Sequence, residues 1–173
     1  ATMLNKGFEI IEAHHLFGAE YDKITALIHP QSIVHSMVEL CDGAILAQLS
    51  HPTMKLPIQL ALTAPRRTGM SGAGLDISKA LTLEFSPVQK GAFPCFDLAC
   101  SCARAGGILP CALNAAGEVA VHAFLAGGIK FTDIYSVIAR VTESFAAEKV
   151  ISYEQLCNID ALARARAEEA IRS

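Results

Sequence analysis

Three polar side chains near the start of the chain, those of Asn5, Lys6 and Glu9, have the types and the spacing to do chemistry together. Residues three and four apart share one face of an α-helix, so an amide, an ammonium and a carboxylate converge if this stretch is helical. The first turn of a helix also presents N–H groups without intrahelical partners and the positive end of the helix dipole, and both favour an anion. The stretch therefore predicts the edge of an active site, and we expect the rest of that site to precede Ala1.

The same residues fit a simpler interpretation, because Lys6 and Glu9 could form an ordinary surface ion pair worth about 0.2–0.5 kcal/mol. Residue types alone leave both interpretations open. Among the histidines, His29 and His35 flank the start of a predicted strand, where an imidazole needs a polar partner or solvent. The sequence shows no Ser/His/Asp triad, no P-loop and no stripe of basic and aromatic residues.

The composition is that of a folded globular protein, with 173 residues, 52% hydrophobic and 18% charged. A formal net charge of -3 gives no general attraction to nucleic acid or to an anionic membrane. No apolar run approaches the roughly 20 residues that a membrane helix needs. The cysteines lack zinc-knuckle spacing and accompany no secretory signal, so we interpret them as small buried thiols in a reduced compartment. They are Cys41, Cys95, Cys100, Cys102, Cys111 and Cys157.

The hydrophobic pattern predicts an α+β fold that begins with a helix and a β-hairpin. The helix is expected over residues 3–17, ended by Gly18. Alternation over residues 33–40, then Asp42-Gly43 and a return strand over 44–49, predicts a hairpin closed by a two-residue turn. One face of its first strand would carry Ile33, His35, Met37 and Glu39.

After the hairpin the pattern predicts a short helix over 58–63 and a short strand over 81–85. Between them, the glycine-rich residues 66–74 are interpreted as a flexible connection rather than a dinucleotide-binding loop. Short loops between later helices predict a small antiparallel four-helix bundle, with Asp133 as an N-cap and Ser152 with Gln155 as a capping box. The four helices would span residues 96–105, 113–126, 133–147 and 160–172.

Longer motifs, compared as whole stretches, favour the active-site interpretation over the surface ion pair. Residues 1–9, Ala-Thr-Met-Leu-Asn-Lys-Gly-Phe-Glu, resemble the SATMMNKGLE stretch of the 1-deoxy-D-xylulose 5-phosphate reductoisomerase family. Residues 27–37 resemble the IHPQSVIHSM stretch of the same family. Its C-terminal signatures are matched in order by Phe93-Pro94-Cys95, by residues 113–119 and by residues 131–134, so the resemblance spans essentially the whole chain.

The resemblance implies an enzyme that uses NADPH and Mg2+ or Mn2+ to convert 1-deoxy-D-xylulose 5-phosphate into 2-C-methyl-D-erythritol 4-phosphate, in non-mevalonate isoprenoid biosynthesis. By position, Asn5 and Lys6 would bind the hydroxyls and the phosphate of the substrate, and Glu9 would contact substrate and ligate the metal. A hard divalent cation prefers such carboxylate oxygens. The metal would polarise the substrate's oxygens for a retro-aldol/aldol rearrangement, and NADPH would reduce the resulting aldehyde.

Residues in the hairpin region also match family positions. Ser32 and His35 would contact the substrate, with His35 joining Lys6 and Glu9 as a catalytic residue, and Pro52 and Met54 would line the cofactor side of the pocket. One departure is Gly117, where the family usually has asparagine. It lies far from the polar cluster in sequence.

The resemblance further implies that an NADPH-binding Rossmann domain and the first part of the catalytic α/β domain precede Ala1. Residues 1–86 would complete the catalytic domain, with a linker arm from about residue 64, and residues 87–173 would form a helical domain. Residues 1–173 alone would then be inactive. The whole protein would be a homodimer in the cytoplasm of a bacterium, or in a plastid. The alternative is a non-catalytic scaffold and dimerisation module.

Overall fold

The computed structural model describes residues 1–69 and 74–173, which divide into two compact units. The helical unit comprises residues 1–26 and 89–173, and the hairpin unit comprises residues 27–88. The helical unit contains α1 (Leu4–Phe17), a 3-10 turn (Tyr21–Lys23), α3 (Pro94–Ala105), α4 (Leu109–Leu125), α5 (Asp133–Glu143) and α6 (Tyr153–Arg172). The hairpin unit contains β1 (Leu27–Ile28), β2 (Val34–Glu39), β3 (Ile45–Leu49), α2 (Lys55–Thr63) and β4 (Ser86–Pro87). This mixture confirms the predicted α+β class.

Helix α1 packs with the C-terminal helices, in one compact unit with residues 89–173. The physical reason is its buried stripe of Leu4, Gly7, Ile10 and Ile11, which lies against α3. Helical spacing predicted an apolar stripe made of Leu4, Phe8, Ile11, Leu16 and Phe17. Leu4 and Ile11 are buried, but Leu16 and Phe17 are 75% and 80% exposed, and the spacing could not say which element would cover the stripe. As predicted, α1 ends at Gly18, which has a φ of 64°.

Helix α4 is the centre of the helical unit, and it packs against α3, α5 and α6. Its contact face is built largely from alanines, and α6 presents Ala163 and Ala167, both fully buried. Small side chains on both helices let their backbones approach closely. The larger core side chains come mainly from α5, and they are Ile134, Val137, Ile138 and Val141.

The hairpin is confirmed, but its turn has three residues instead of two. The Gly43 N–H donates to the Leu40 carbonyl, and the Leu40 N–H donates to the Ala44 carbonyl. A φ of 83° at Gly43 closes this longer loop, which is the common arrangement of a turn followed by a left-handed residue. Asp42 accepts a hydrogen bond from the Ala44 N–H, which explains its place in the turn.

The predicted strand over residues 81–85 is wrong, because the only paired residues near it are Ser86 and Pro87, opposite β1. The Glu84 backbone bonds to side chains instead: its carbonyl accepts from the His29 ring and its N–H donates to the Gln31 amide oxygen. Within the predicted connection at 66–74, residues 70–73 lie outside the described part of the chain.

Several helix ends also differ from prediction. Helix α2 begins at Lys55, α4 begins at Leu109, and α6 is continuous from Tyr153. The Ser152 hydroxyl caps α6 by accepting from the Gln155 N–H at 3.1 Å, as the capping box predicts. The Gln155 amide oxygen accepts from the Ile151 N–H, one residue before the donor that a capping box predicts, the Ser152 N–H.

The N-cap of α5 is Thr132, one residue before the predicted Asp133. Asp133 still satisfies a backbone donor, because its carboxylate accepts from the Lys130 N–H. None of the helices within residues 1–69 and 74–173 has the length and apolar character to cross a membrane.

All six thiols are free, and their environments differ. Cys95 and Cys102 are buried as predicted, whereas Cys41 and Cys157 are exposed. Burial raises the pKa of the Cys102 thiol to about 11. The interpretation of the cysteines as buried thiols therefore holds for only some of them.

The pKa of Cys102 predicts a loss of stability at alkaline pH. An unfolded thiol ionises near pH 9 and the buried one near pH 11, so the folded state holds its proton more tightly. The contribution of the protonated Cys102 thiol to the free energy of unfolding is fully present below pH 9. It is lost as the pH rises towards 11, by up to roughly 3 kcal/mol. Urea unfolding between pH 8 and pH 10.5 should therefore show a weaker pH dependence in Cys102→Ala than in the parent. Cys41→Ala, which removes an exposed thiol, should follow the parent, and an unchanged slope in Cys102→Ala would contradict the prediction.

Candidate functional site

The structure brings Lys6 and Glu9 together on the first turns of α1. The Lys6 ammonium donates to a Glu9 carboxylate oxygen at 2.5 Å, and the two side chains are 40% and 55% exposed. Asn5 is exposed on the same two turns of the helix. The predicted cluster therefore exists and faces solvent, although the ion pair by itself is what an ordinary helix surface would also show.

The backbone around this cluster is arranged to receive an anion. The N-cap residue, Met3, provides no side-chain cap, and the Leu4 N–H donates to the Thr2 hydroxyl at 3.3 Å. The next N–H groups, those of Asn5 and Lys6, have no acceptor within the helix because they belong to its first turn. Met3 also has a φ of 52°, a left-handed conformation that costs a non-glycine residue about 1–2 kcal/mol.

A second residue with this unusual backbone lies in the other predicted motif. Among the residues that the structure describes, Met3 and Ser32 are the two non-glycine residues with positive φ. Such strained residues concentrate at functional sites, where the surrounding structure holds them in place. Their positions in the two motifs support a functional role for both stretches.

Two glycines bring α1 close to the helices beneath it. A Cβ atom at Gly7 would overlap the Cβ of Ala99 on α3, so only glycine allows this approach. A Cβ atom at Gly117 on α4 would lie 2.9 Å from the Cδ2 of Leu4. Sequence separation suggested that Gly117 is remote from the polar cluster, and that is wrong, since it packs against the residue next to Asn5.

In the hairpin unit, His35 is the extra residue of a β-bulge. The register pairs Val34 with Leu49 and then Ser36 with Gln48, which leaves His35 without a partner residue on β3. The predicted common face of Ile33, His35, Met37 and Glu39 is therefore interrupted at His35. The His35 Nε2–H donates to the Ser50 carbonyl at 3.2 Å, and the side chain is exposed.

Ser32 and His29 form the turn that leads into this strand. The Ser32 N–H donates to the His29 carbonyl at 3.1 Å, and the Ser32 side chain is exposed. The His29 ring uses both nitrogens, because Nδ1–H donates to the Glu84 carbonyl at 2.8 Å and Nε2 accepts from the Ile33 N–H at 3.1 Å. It also stacks on Phe85, with ring centroids 4.6 Å apart. His29 therefore holds the backbone of this motif in place through both ring nitrogens. The sequence around His29 did not predict this role.

The remaining predicted residues, Pro52 and Met54, lie between β3 and α2. Met54 is the N-cap of α2 and is 69% exposed, and Pro52 is also exposed. Both offer exposed apolar surface.

The described residues do not assemble a complete metal site. Across residues 1–69 and 74–173, no group of three or more histidine, cysteine, aspartate or glutamate side chains could hold a metal ion. Glu9 fits a hard divalent cation as a single carboxylate ligand. A metal held here needs further ligands besides Glu9.

A family model described as the DXP reductoisomerase C-terminal domain matches residues 49–166. The chain belongs to the DXP reductoisomerase family. Among curated members of this family, the 1-deoxy-D-xylulose 5-phosphate reductoisomerase of Desulfitobacterium hafniense (strain DSM 10664 / DCB-2) is 48% identical over 173 residues, which are 100% of this chain and 45% of the relative. That of Cupriavidus necator is 48% identical over 171 residues, 99% of this chain and 44% of the relative. The chain thus spans less than half the length of these family members.

Solved structures of the family agree with this fold. The reductoisomerase from Zymomonas mobilis in complex with NADPH gives a TM-score of 0.93 at 40% identity, covering 100% of this chain and 46% of that one. A DOX-P reductoisomerase in complex with NADPH, fosmidomycin and magnesium gives a TM-score of 0.88 at 40% identity, covering 99% of this chain and 44% of that one. The family assignment therefore rests on sequence and structure together.

The close approach at Gly7 predicts that Gly7→Ala destabilises the protein. Alanine in a helix is normally about 1 kcal/mol more favourable than glycine, but here the added methyl group meets Ala99. Overpacking of this kind costs about 1–3 kcal/mol, so urea unfolding should show a net loss of stability. Adding Ala99→Gly should restore the space and recover most of the loss. A Gly7→Ala variant more stable than the parent would contradict the packing described for α1.

Proposed function

We propose that a protein containing this chain catalyses the NADPH- and divalent-metal-dependent rearrangement and reduction of 1-deoxy-D-xylulose 5-phosphate to 2-C-methyl-D-erythritol 4-phosphate. The observation that carries the proposal is the start of α1, where Asn5, Lys6 and Glu9 lie on the first two turns and the N-cap residue, Met3, provides no side-chain cap. This arrangement occurs in a chain that is 48% identical over its whole length to named reductoisomerases. The activity, the substrate and the cofactors are proposed for the whole protein. This chain covers 45% of the length of the relative from Desulfitobacterium hafniense.

Lys6 and Asn5 supply the groups that a sugar phosphate needs. The Lys6 ammonium pairs with the phosphate as a positive charge, and the Asn5 amide can donate to and accept from sugar hydroxyls. The unpaired N–H groups of the first turn add donors for an anion. Breaking the ion pair between Lys6 and Glu9 costs little free energy when Lys6 binds substrate, because the pair is exposed and worth only about 0.2–0.5 kcal/mol.

Glu9 supplies one carboxylate oxygen to Mg2+ or Mn2+. When bound, the metal would act as a Lewis acid on the oxygens of the substrate. With the metal bound, the Glu9 carboxylate would share its charge with the cation, which would weaken its pair with Lys6 and leave the ammonium available to the phosphate. NADPH and magnesium accompany the related enzymes in their solved structures, which supports both cofactors here.

Ser32 and His35 of the hairpin unit are proposed as substrate contacts, with His35 also catalytic. Because the His35 Nε2–H is held by the Ser50 carbonyl, the neutral ring presents Nδ1 as an acceptor for a substrate hydroxyl. The bulge at His35 is the kind of irregularity that re-aims a side chain next to an active site. Pro52 and Met54 are proposed to offer apolar surface to the nicotinamide cofactor.

We further propose a family-type domain arrangement, in which residues 1–86 complete a catalytic domain and residues 87–173 form a helical domain. The packing of α1 on α3 shows that such a division would still leave the start of the chain attached to the helical part. The relatives come from bacteria, and we propose a cytoplasmic location on that basis.

The role of Glu9 predicts that Glu9→Gln abolishes metal-dependent turnover in the complete gene product. The amide keeps the shape of the side chain but removes the charge that binds the cation. Changes to residues that only support metal ligands cost about 10–100-fold, so loss of the ligand itself should lower NADPH oxidation in the presence of Mn2+ by about 100-fold or more. The affinity for NADPH, measured by fluorescence, should stay within about twofold. Glu12→Gln, one turn further along α1 and exposed, is the matched control and should retain turnover.

Turnover retained in Glu9→Gln would contradict the assignment of Glu9 as a metal ligand. A companion assay of residues 1–173 alone, with NADPH and Mn2+, should show no NADPH oxidation, because the described residues supply one metal ligand and not a full site.

A second candidate role, as a scaffold and dimerisation module, is favoured by the exposed apolar surface of the hairpin. Side chains on both strands are large, apolar and more than a third exposed, and they are Met37, Val38, Ile45, Leu46 and Leu49. A surface of this kind marks an interaction site more often than a solvated face. Both roles are compatible, and we propose that the whole protein is a homodimer through this hairpin.

Light scattering should accordingly show the complete gene product as a dimer, and Leu46→Glu should shift it towards monomer by placing a charge in the interface. Leu16→Glu is the control, because Leu16 is 75% exposed at the far end of α1. A monomeric parent, or a Leu46→Glu variant that remains dimeric, would count against pairing through the hairpin.

A further inference from the structure

Two cysteines from different helices lie beside each other in the helical unit. The Cys111 thiol of α4 donates to the carbonyl of Leu156 at 3.5 Å, and Leu156 immediately precedes Cys157 on α6. Cys157 is exposed and Cys111 is half-buried. The thiol of α4 therefore reaches the turn of α6 that carries the second thiol.

The register of the two helices indicates that these thiols face each other. Seven residues beyond Cys111 and Cys157, the Glu118 carboxylate accepts from the Arg164 guanidinium at 2.7 Å. The contact of Cys111 with Leu156 joins residues 45 apart, and that of Glu118 with Arg164 joins residues 46 apart, so both contacts advance in the same direction along the two helices and α4 and α6 run parallel. Because seven residues are close to two full turns, positions one heptad apart keep nearly the same direction. Cys111 should therefore face Cys157 much as Glu118 faces Arg164.

The distance between α4 and α6 also favours contact between short side chains. Ala112 and Ala116 on α4 and Ala163 on α6 are fully buried, so methyl groups fill the space between the helices. A disulfide requires Cα atoms roughly 4.4–6.8 Å apart, which only closely packed helices provide. The small side chains at this contact allow the two helices to approach closely next to Cys111.

We propose that Cys111 and Cys157 form a paired-thiol modification site, which a hydroperoxide converts into a disulfide joining α4 to α6. This site is independent of the proposed catalytic function, because neither cysteine is among the residues assigned to substrate, metal or cofactor.

The chemistry proceeds in two balanced steps. The Cys157 sulfur attacks the peroxide, so that an S–O bond forms, the O–O bond breaks and an alcohol or water leaves, giving a sulfenic acid. The Cys111 sulfur then attacks the Cys157 sulfur, an S–S bond forms, the S–O bond breaks, and water leaves with the proton of the Cys111 thiol. Overall two thiols lose two electrons and two protons, and the peroxide is reduced by two electrons.

The environments of the two thiols set this order. Cys157 is exposed and open to the oxidant. Burial raises the pKa of the Cys111 thiol, and the charges of Asp160 and Cys157 raise it further against the opposing effect of Arg164. Cys111 therefore remains a thiol until a sulfenic acid forms beside it.

The test uses a Cys41→Ser background, which removes the other exposed thiol among the six. After treatment with hydrogen peroxide and alkylation of the remaining thiols, peptide mass spectrometry should find a linked pair of peptides that contain Cys111 and Cys157, lighter by two hydrogens. The oxidised protein that carries no link between copies should show a higher Tm than the reduced protein, and dithiothreitol should reverse both changes. Cys100→Ser, at another half-buried thiol, should leave the link intact, whereas Cys157→Ser should leave Cys111 open to alkylation.

Three results would overturn the proposal. One is oxidation of Cys157 to the sulfinic acid while Cys111 remains free to alkylate. Another is a Cys157 link between two copies of the chain instead of within one. The third is loss of the Cys111–Cys157 link in Cys100→Ser, which would show that a different thiol is the partner.

Discussion

The contact between α1 and the helices beneath it is the constraint on which the candidate site depends. Gly7 allows α1 to lie directly on Ala99, and Leu4 fills the space that Gly117 leaves open on α4. These contacts fix the first two turns of α1, which carry Asn5, Lys6 and Glu9. The polar face of α1 is therefore positioned by its buried face, through residues that themselves carry no chemistry. Gly117, where the family usually has asparagine, takes part in this packing.

In the hairpin unit, too, one residue holds the backbone in place while other residues expose their polar side chains. His29 is fully occupied by hydrogen bonds to Glu84 and Ile33, and so it organises the backbone around Ser32 and His35. Ser32 keeps a left-handed φ and His35 occupies a bulge, while both side chains remain exposed. The two histidines of this motif thus have different surroundings. His29 bonds to backbone groups through both ring nitrogens, whereas His35 bonds to the Ser50 carbonyl through one ring nitrogen and its side chain is exposed.

Features that depend on residues close together in sequence could be predicted, whereas features that depend on residues far apart in sequence could not. The helix over residues 3–17, the hairpin and the Ser152 cap depend on spacings of a few residues, which the sequence displays directly. The strand predicted over residues 81–85 failed because Glu84 bonds to His29 and Gln31, more than fifty residues away. The bulge at His35 could not be predicted because the register depends on where β3 pairs and not on the sequence of β2 alone.

The sequence by itself determined the family, the α+β class and the polar cluster of Asn5, Lys6 and Glu9, because motif identity and helical periodicity are local properties. Only the tertiary structure decided that α1 packs with the C-terminal helices, that Gly117 meets Leu4, and that Cys111 lies beside the turn of Cys157. Each of these depends on which apolar faces bury one another. That choice is made by the packing of side chains distant in sequence, which no single stretch of the chain encodes.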